Sequence, residues 1–179
     1  MTLVLRLIRQ SRWDSTEKYD WLGEGDIPAD PLADFANTNE NCLSVWFVDD
    51  DKKDLDDVTA ALAASREKAD RLDYVLFTQD HLKTAGIEVC ETSGQTPDKH
   101  VNGLHRDLTH LSAAKVLALT TRVWHENLGL NRIDQRGAVQ LVVAAVCRGR
   151  ILLEELRPKL REDVRSCLGE KRAGPRAPK

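Results

Sequence analysis

The stretch from Leu43 to Phe77 constrains this chain most, because it reads as strand, acidic turn, helix, strand. Leu43 to Val48 is a short, nearly continuous apolar run with two β-branched residues and two aromatics, the composition of a strand buried on both faces. Asp49, Asp50 and Asp51 end it, since charge and turn-forming side chains do not belong in a sheet interior. Leu55, Val58 and Leu62 then recur at helical spacing, with Ala69 on the same face. Acids crowd the first turn of that helix (Asp54, Asp56, Asp57) and bases its far end (Arg66, Lys68, Arg71), as the helix dipole favours. Tyr74 to Phe77 is a second apolar run, so the stretch predicts a βαβ unit with a right-handed crossover.

The remainder divides around this unit. Leu3 to Ile8 predicts a first strand, with Leu3, Leu5 and Leu7 on one face and Arg6 as the odd member of the other. Ser11 to Asn41 is irregular and rich in Gly and Pro; Pro31 to Phe35 predicts a helical turn, and Trp13 and Trp21 are expected to pin the segment to the body. Thr78 caps a short helix over 79–84, Gly86 stands where a left-handed C-terminal cap belongs, and Ile87 to Cys90 predicts another strand. Beyond Thr96 and Pro97 the spacing of Val101, Leu104, Leu108, Leu111, Leu119 and Val123 predicts helix throughout. The segment 138–146 is apolar nearly all round, and Pro158 opens a last amphipathic helix.

The expected fold is therefore α+β or α/β. A small three- to four-stranded sheet with covering helices occupies 1–95, a helical hairpin or three-helix unit occupies 96–168, and 169–179 is a disordered basic tail. The formal net charge of −3 hides an asymmetry. Arg148 to Lys179 holds ten Lys or Arg against five Asp or Glu, a net of +5, which leaves −8 on the rest. Such a basic end admits a nucleic acid or another anionic partner. Cys42, Cys90, Cys147 and Cys167 lie far apart, without zinc or redox spacing, and are expected to be small buried hydrophobes. No secretory pattern opens the chain and no apolar run is long enough for a bilayer, so a soluble cytoplasmic protein without membrane contact is expected.

Three sets of residues bear on chemistry. The turn Asp49–Asp50–Asp51 stands at the carboxyl end of a buried strand, where open α/β sheets bind ligands, and its carboxylates suit Mg²⁺. This strand-then-acids pattern resembles the opening of a phosphoacceptor receiver domain. That resemblance implies metal-assisted phosphate chemistry, although a receiver's acids follow its first strand and no partner Thr or Lys stands at later strand ends here. Helix capping explains the same acids without a metal, and no cofactor is otherwise expected.

His100, His105 and His110 are five apart, which rotates each about 140° from the last on a helix and argues against a shared metal. His105-Arg106-Asp107-Leu108 copies part of a kinase catalytic loop. Ser112 stands where that loop needs Asn, and no phosphate loop or Asp-Phe-Gly follows. His105, or His125 beside Glu126, remains a candidate acid–base group. Finally, Arg6, Ser44 and Glu88 or Glu91 follow the order Arg, Ser, Glu, similar to ADP-ribosyltransferases, a resemblance that implies NAD handling.

Each of these sets has a structural explanation, so enzymatic activity is left undecided. The leading expectation is an accessory protein that docks a protein partner or a second copy of itself. The surface expected for it is the stripe of Leu152, Leu156, Leu160, Val164 and Leu168. The alternative is a small enzyme acting on a nucleotide or phosphate ligand, metal-dependent at Asp49 to Asp51 or NAD-handling around Arg6, Ser44 and Glu88.

Overall fold

A computed structural model describes residues 2–13, 19–49, 52–126 and 130–169; the side chains of residues 52 and 53 are left aside. Among these, strands β1 (Thr2–Ile8), β2 (Leu43–Asp49), β3 (Leu72–Thr78), β4 (Glu88–Glu91), β5 (His105–Thr109) and β6 (Leu130–Ile133) make one sheet, in the order β4-β5-β2-β1-β3-β6. The helices are α1 (Ala29–Ala36), α2 (Lys52–Ala64), α3 (Gln79–Thr84), α4 (Ala113–Glu126), α5 (Gln135–Cys147) and α6 (Pro158–Cys167). The α+β class holds, but the sheet has six strands rather than three or four.

The expected βαβ unit is present with one change. β2 and β3 lie in the same sheet, but each pairs antiparallel with β1, which runs between them. They are therefore parallel to one another without bonding. Leu3 to Ile8 earns the central place because it is apolar on both faces and can be covered from both sides.

The expectation of continuous helix beyond residue 96 is corrected. His105–Thr109 pairs with both β2 and β4, and Leu130–Ile133 pairs with β3. The helical stripe of Val101, Leu104, Leu108 and Leu111 is assembled instead from a 3₁₀ turn, a strand and a loop. Pairing with existing strands overrode a pattern that rested on spacing alone. Likewise the helix expected to run past Gly149 ends at Cys147, where Gly149 turns left-handed at φ +68°.

Two layers of helix enclose the sheet. On one face Val4, Ile8, Val45 and Phe77 pack with Trp13, with Phe35 of α1, Leu82 of α3 and Val116, Leu119 and Val123 of α4. On the other, Leu5, Trp46 and Tyr74 pack with Val58 and Ala61 of α2. α2 also presents Ala60, Ala63 and Ala64 to Ala138, Val142 and Ala145 of α5, small residues that let the two helices approach closely. Leu156, Leu160 and Val164 of the α6 region complete that layer. Trp13 is buried as expected, whereas Trp21 is 68% exposed. Three of the four cysteines are exposed rather than buried, and Cys42 is half-buried. Among the described residues no helix is long and apolar enough to cross a membrane.

Candidate functional site: an arginine-lined cleft

β1 ends at Ile8, and the chain then turns through a short 3₁₀ segment, Gln10–Arg12. The turn puts Arg6, Arg9 and Arg12 at one end of the sheet, beside the outer face of α1 and the turn that follows α2. Together with Asp34, Asn37 and Arg66 they line a cleft of about 570 Å³.

Asp34 organises the cleft. It sits on α1 between the buried Pro31 and Phe35 and is itself only 6% exposed. Its Oδ1 accepts from Arg12 Nη1 at 2.6 Å, and its Oδ2 accepts from the Arg9 backbone N–H at 3.0 Å and from Trp13 Nε1 at 2.9 Å. A buried carboxylate with three donors, one of them charged, is well satisfied. It also fixes Trp13, whose ring lies 5.9 Å from Phe35 and 5.8 Å from Trp124.

Arg6 lies at the floor. Nη1 donates to the Ser44 carbonyl at 2.9 Å and Nη2 to the Asp34 carbonyl at 3.1 Å. Both partners are neutral carbonyls, and Nε is buried without a partner. Burial accordingly lowers the guanidinium pKa from its ordinary value, against the pull of the Asp34 charge. Arg66 gives one bond, Nη1 to the Arg71 carbonyl at 2.7 Å. The Arg9 side chain is exposed and has no partner among the described residues. Four guanidinium groups thus face one carboxylate, a surplus of three positive charges among the described lining residues.

No protein-family model, curated protein or solved structure matches this chain. The reading therefore rests on the residues themselves.

The sequence candidates disperse. Register places Arg6 level with Val75 of β3, on the face that carries Val4 and Phe47. Ser44 stands opposite Asp107, and Glu88 opposite Thr109, on the other face of the sheet. Arg6 therefore meets Ser44 only through the main-chain carbonyl, and the Arg, Ser and Glu side chains do not share a cleft. Glu88 pairs with His110 at 3.0 Å, and Glu91 with Arg106 at 3.3 Å. Asp49 accepts a long bond from Thr2 Oγ1 at 3.4 Å, while Asp50 and Asp51 lie outside the described residues. Among the described residues no group of three His, Cys, Asp or Glu is placed to hold a metal ion.

Ser44 and His105 do meet, at Asp107. Ser44 Oγ donates to Asp107 Oδ1 at 3.1 Å, and His105 Nε2 lies 3.9 Å from the same oxygen. The serine hydroxyl donates its hydrogen bond to the carboxylate and not to the imidazole. His105 Nδ1 is engaged with Thr92 Oγ1 at 2.8 Å. Burial lowers the His105 pKa, Arg106 adds to this, and Asp107 and Thr92 oppose it.

A second histidine, which the sequence did not single out, is tied more tightly. The Thr78 N–H donates to His81 Nδ1 at 3.3 Å, so the proton of the neutral ring sits on Nε2 and is donated to Glu126 at 2.7 Å. Thr78 Oγ1 lies 2.6 Å from Nδ1, and Arg122 Nε holds Glu126 at 2.7 Å. This chain caps α3 and fastens it to α4; the bonds to Arg122 and His81 hold the Glu126 carboxyl below its ordinary range, against a smaller effect of burial.

Of the stripe expected to dock a partner, Leu156, Leu160 and Val164 are buried against the chain's own helices and Leu168 packs beside them. Leu152, at 58% exposed, faces solvent.

Arg9, Arg12, Arg66 and Asp34 were missed by the sequence reading. A signal existed: Arg6, Arg9 and Arg12 recur every third residue across the end of a strand, and Asp34 interrupts the apolar face of a short helix.

Proposed function

We propose that this chain binds a phosphate-bearing small molecule in the cleft at the carboxyl end of β1. One observation carries the reading: four arginines converge on a cleft in which, among the described lining residues, a single carboxylate opposes them. Guanidinium forks match pairs of phosphate oxygens, and a surplus of fixed positive charge in a concave site raises both affinity and on-rate for anions. Arg6 and Asp34 are already locked by bonds to α1 and β2, so this part of the site is organised before a ligand arrives. The test is thermal denaturation with pyrophosphate against equal ionic strength of sodium chloride. A ligand that binds the folded state raises Tm with its concentration. A rise with pyrophosphate that Arg9→Gln reduces supports the reading; equal Tm in both salts contradicts it.

A second reading keeps the helical half as a docking surface. It is favoured by a groove of about 700 Å³ bounded by Asp134, which caps α5, by Gln135, Arg136, Val139 and Gln140 of α5, and by Asp163, Ser166 and Cys167 of α6. Since Leu156, Leu160 and Val164 are occupied internally, a partner would engage this groove and not that stripe. Light scattering tests it with a Gln140→Lys variant, at an exposed position of the groove. A concentration-dependent dimer that the change abolishes supports self-association, and a strict monomer argues against it.

A further inference from the structure

We infer that the group taken up in the arginine cleft is a diphosphate, held without regard to what it is esterified to. This rests on the reading of the cleft as a phosphate site and adds the class of ligand. Two observations carry it.

The first is charge. Arg6, Arg9, Arg12 and Arg66 are offset by Asp34 alone among the described lining residues, leaving +3. A phosphate monoester carries about −1.5 to −2 near neutral pH, and a diphosphate ester about one charge more. The diphosphate therefore balances the surplus, whereas a lone carboxylate leaves about two positive charges facing one another.

The second is the kind of surface. Nucleobases are read by stacking on accessible rings and by hydrogen bonds to their edges. The described lining residues include no aromatic side chain. Trp13 and Phe35, which follow the lining residues Arg12 and Asp34 in the chain, are 4% and 0% exposed and pack in the core. Asn37 is the one amide side chain among the lining residues. What the cleft does offer is unspent guanidinium N–H. Arg9 has no partner among the described residues. Arg12 commits one Nη to Asp34, and Arg66 one Nη to the Arg71 carbonyl. Those three arginines can each face a phosphate oxygen. Arg6 has both Nη groups committed and contributes charge from below, where an anion compensates its unpartnered Nε.

Isothermal titration of the full chain at low salt tests this, with pyrophosphate, ADP, CDP, inorganic phosphate, adenosine, citrate and a single-stranded oligonucleotide as titrants. The expected result is that pyrophosphate, ADP and CDP bind within about threefold of one another. Inorganic phosphate and citrate should be weaker by about tenfold or more, and adenosine should be silent. Arg9→Gln should weaken the three diphosphates by about tenfold, the loss of one charge-assisted contact. Preference for ADP over CDP by about tenfold, or binding of adenosine, overturns the inference and leaves the phosphate reading standing. Phosphate as tight as pyrophosphate does the same. A single-stranded oligonucleotide binding about a hundredfold tighter than pyrophosphate overturns it in favour of a backbone-tracking site. Silence from every phosphate compound, or full affinity in Arg9→Gln, sinks both.

Discussion

Two of the arginine–aspartate clusters among the described residues differ in one respect, the ratio of their charges. In the first, Asp57 of α2 accepts from Arg148 Nη2 at 2.7 Å and from Arg150 Nη1 at 3.0 Å, and Arg150 Nη2 continues to Asp98 at 3.0 Å. Two cations meet two buried carboxylates, and Asp98 also receives the N–H groups of His100 and Val101. In the second, Asp34 is the one carboxylate among the described lining residues that include Arg6, Arg9, Arg12 and Arg66. The balanced cluster closes on itself and fastens the turn after α5 to α2 and to the loop ahead of β5. The unbalanced one is open to solvent and keeps its surplus. On the proposed reading it is the ratio of charges, more than the count of arginines, that sets the second cluster apart as a ligand site.

The comparison breaks most visibly at Asp57. Asp57→Ala leaves Arg148 without its carboxylate and Arg150 with Asp98 alone, in a partly buried setting, which should cost about 3 kcal/mol in urea unfolding. Pyrophosphate binding should be unchanged once the variant is folded. Asp34→Asn separates the two roles within one residue. Stability should fall by about 1–3 kcal/mol as the charge-assisted bonds to Arg12, Trp13 and Arg9 weaken. Anion affinity should rise, because the surplus in the cleft goes up by one. A fall in both would mean that Asp34 serves binding by holding Arg12 in place.

A third carboxylate lies between these extremes. Burial alone would raise the pKa of Asp73, but the bond from Arg132, the Gln10 N–H and the charges of Arg132 and Arg71 outweigh it, and the net shift is downward. A carboxylate depressed in the folded state contributes stability above its unfolded pKa, near 3.8, and loses it as pH falls through the lower folded value. Arg132→Gln should therefore move the acid-unfolding midpoint to higher pH, with little change near neutrality beyond the loss of one ion pair. His105 acts on a milder range. Its folded pKa lies below the ordinary 6.5, so the unfolded chain binds more protons as pH drops beneath that value. Stability should decline from about pH 6.5 downward, and His105→Gln should flatten that decline in a pH series of denaturant midpoints. The smallest effect belongs to Arg9→Gln. An exposed side chain without a partner should change stability by no more than about 0.5 kcal/mol, while weakening pyrophosphate binding.

The strands that carry their own apolar runs were legible in sequence. β1, β2 and β3 stand where Leu3 to Ile8, Leu43 to Val48 and Tyr74 to Phe77 placed them, and Thr78 and Gly86 bound α3 as expected. The strands that depend on partners were not. His105–Thr109 buries Leu108 fully but spends its other positions on bonds to Ser44, Thr92 and Glu91, which no local pattern announces. Leu130–Ile133 is held in part by Arg132 across to Asp73. The site was half legible. Arg6 drew attention because a charge in an apolar strand needs a reason, but Arg66 joins it from residues far along the chain, and only the fold brings the two together. The candidates that failed to converge, Ser44 and Glu88 with Arg6, failed through strand parity: the register puts them on the opposite face.

The most direct measurement follows the arginine side chains themselves. Nε–Hε resonances, assigned by substitution, can be recorded as pyrophosphate is added to the full chain. The account predicts shifts at Arg6, Arg9, Arg12 and Arg66, together with the Trp13 indole that shares Asp34, and none at Arg148 or Arg150. Shifts centred on Arg148 and Arg150, or spread evenly over the arginines of both clusters, would contradict it.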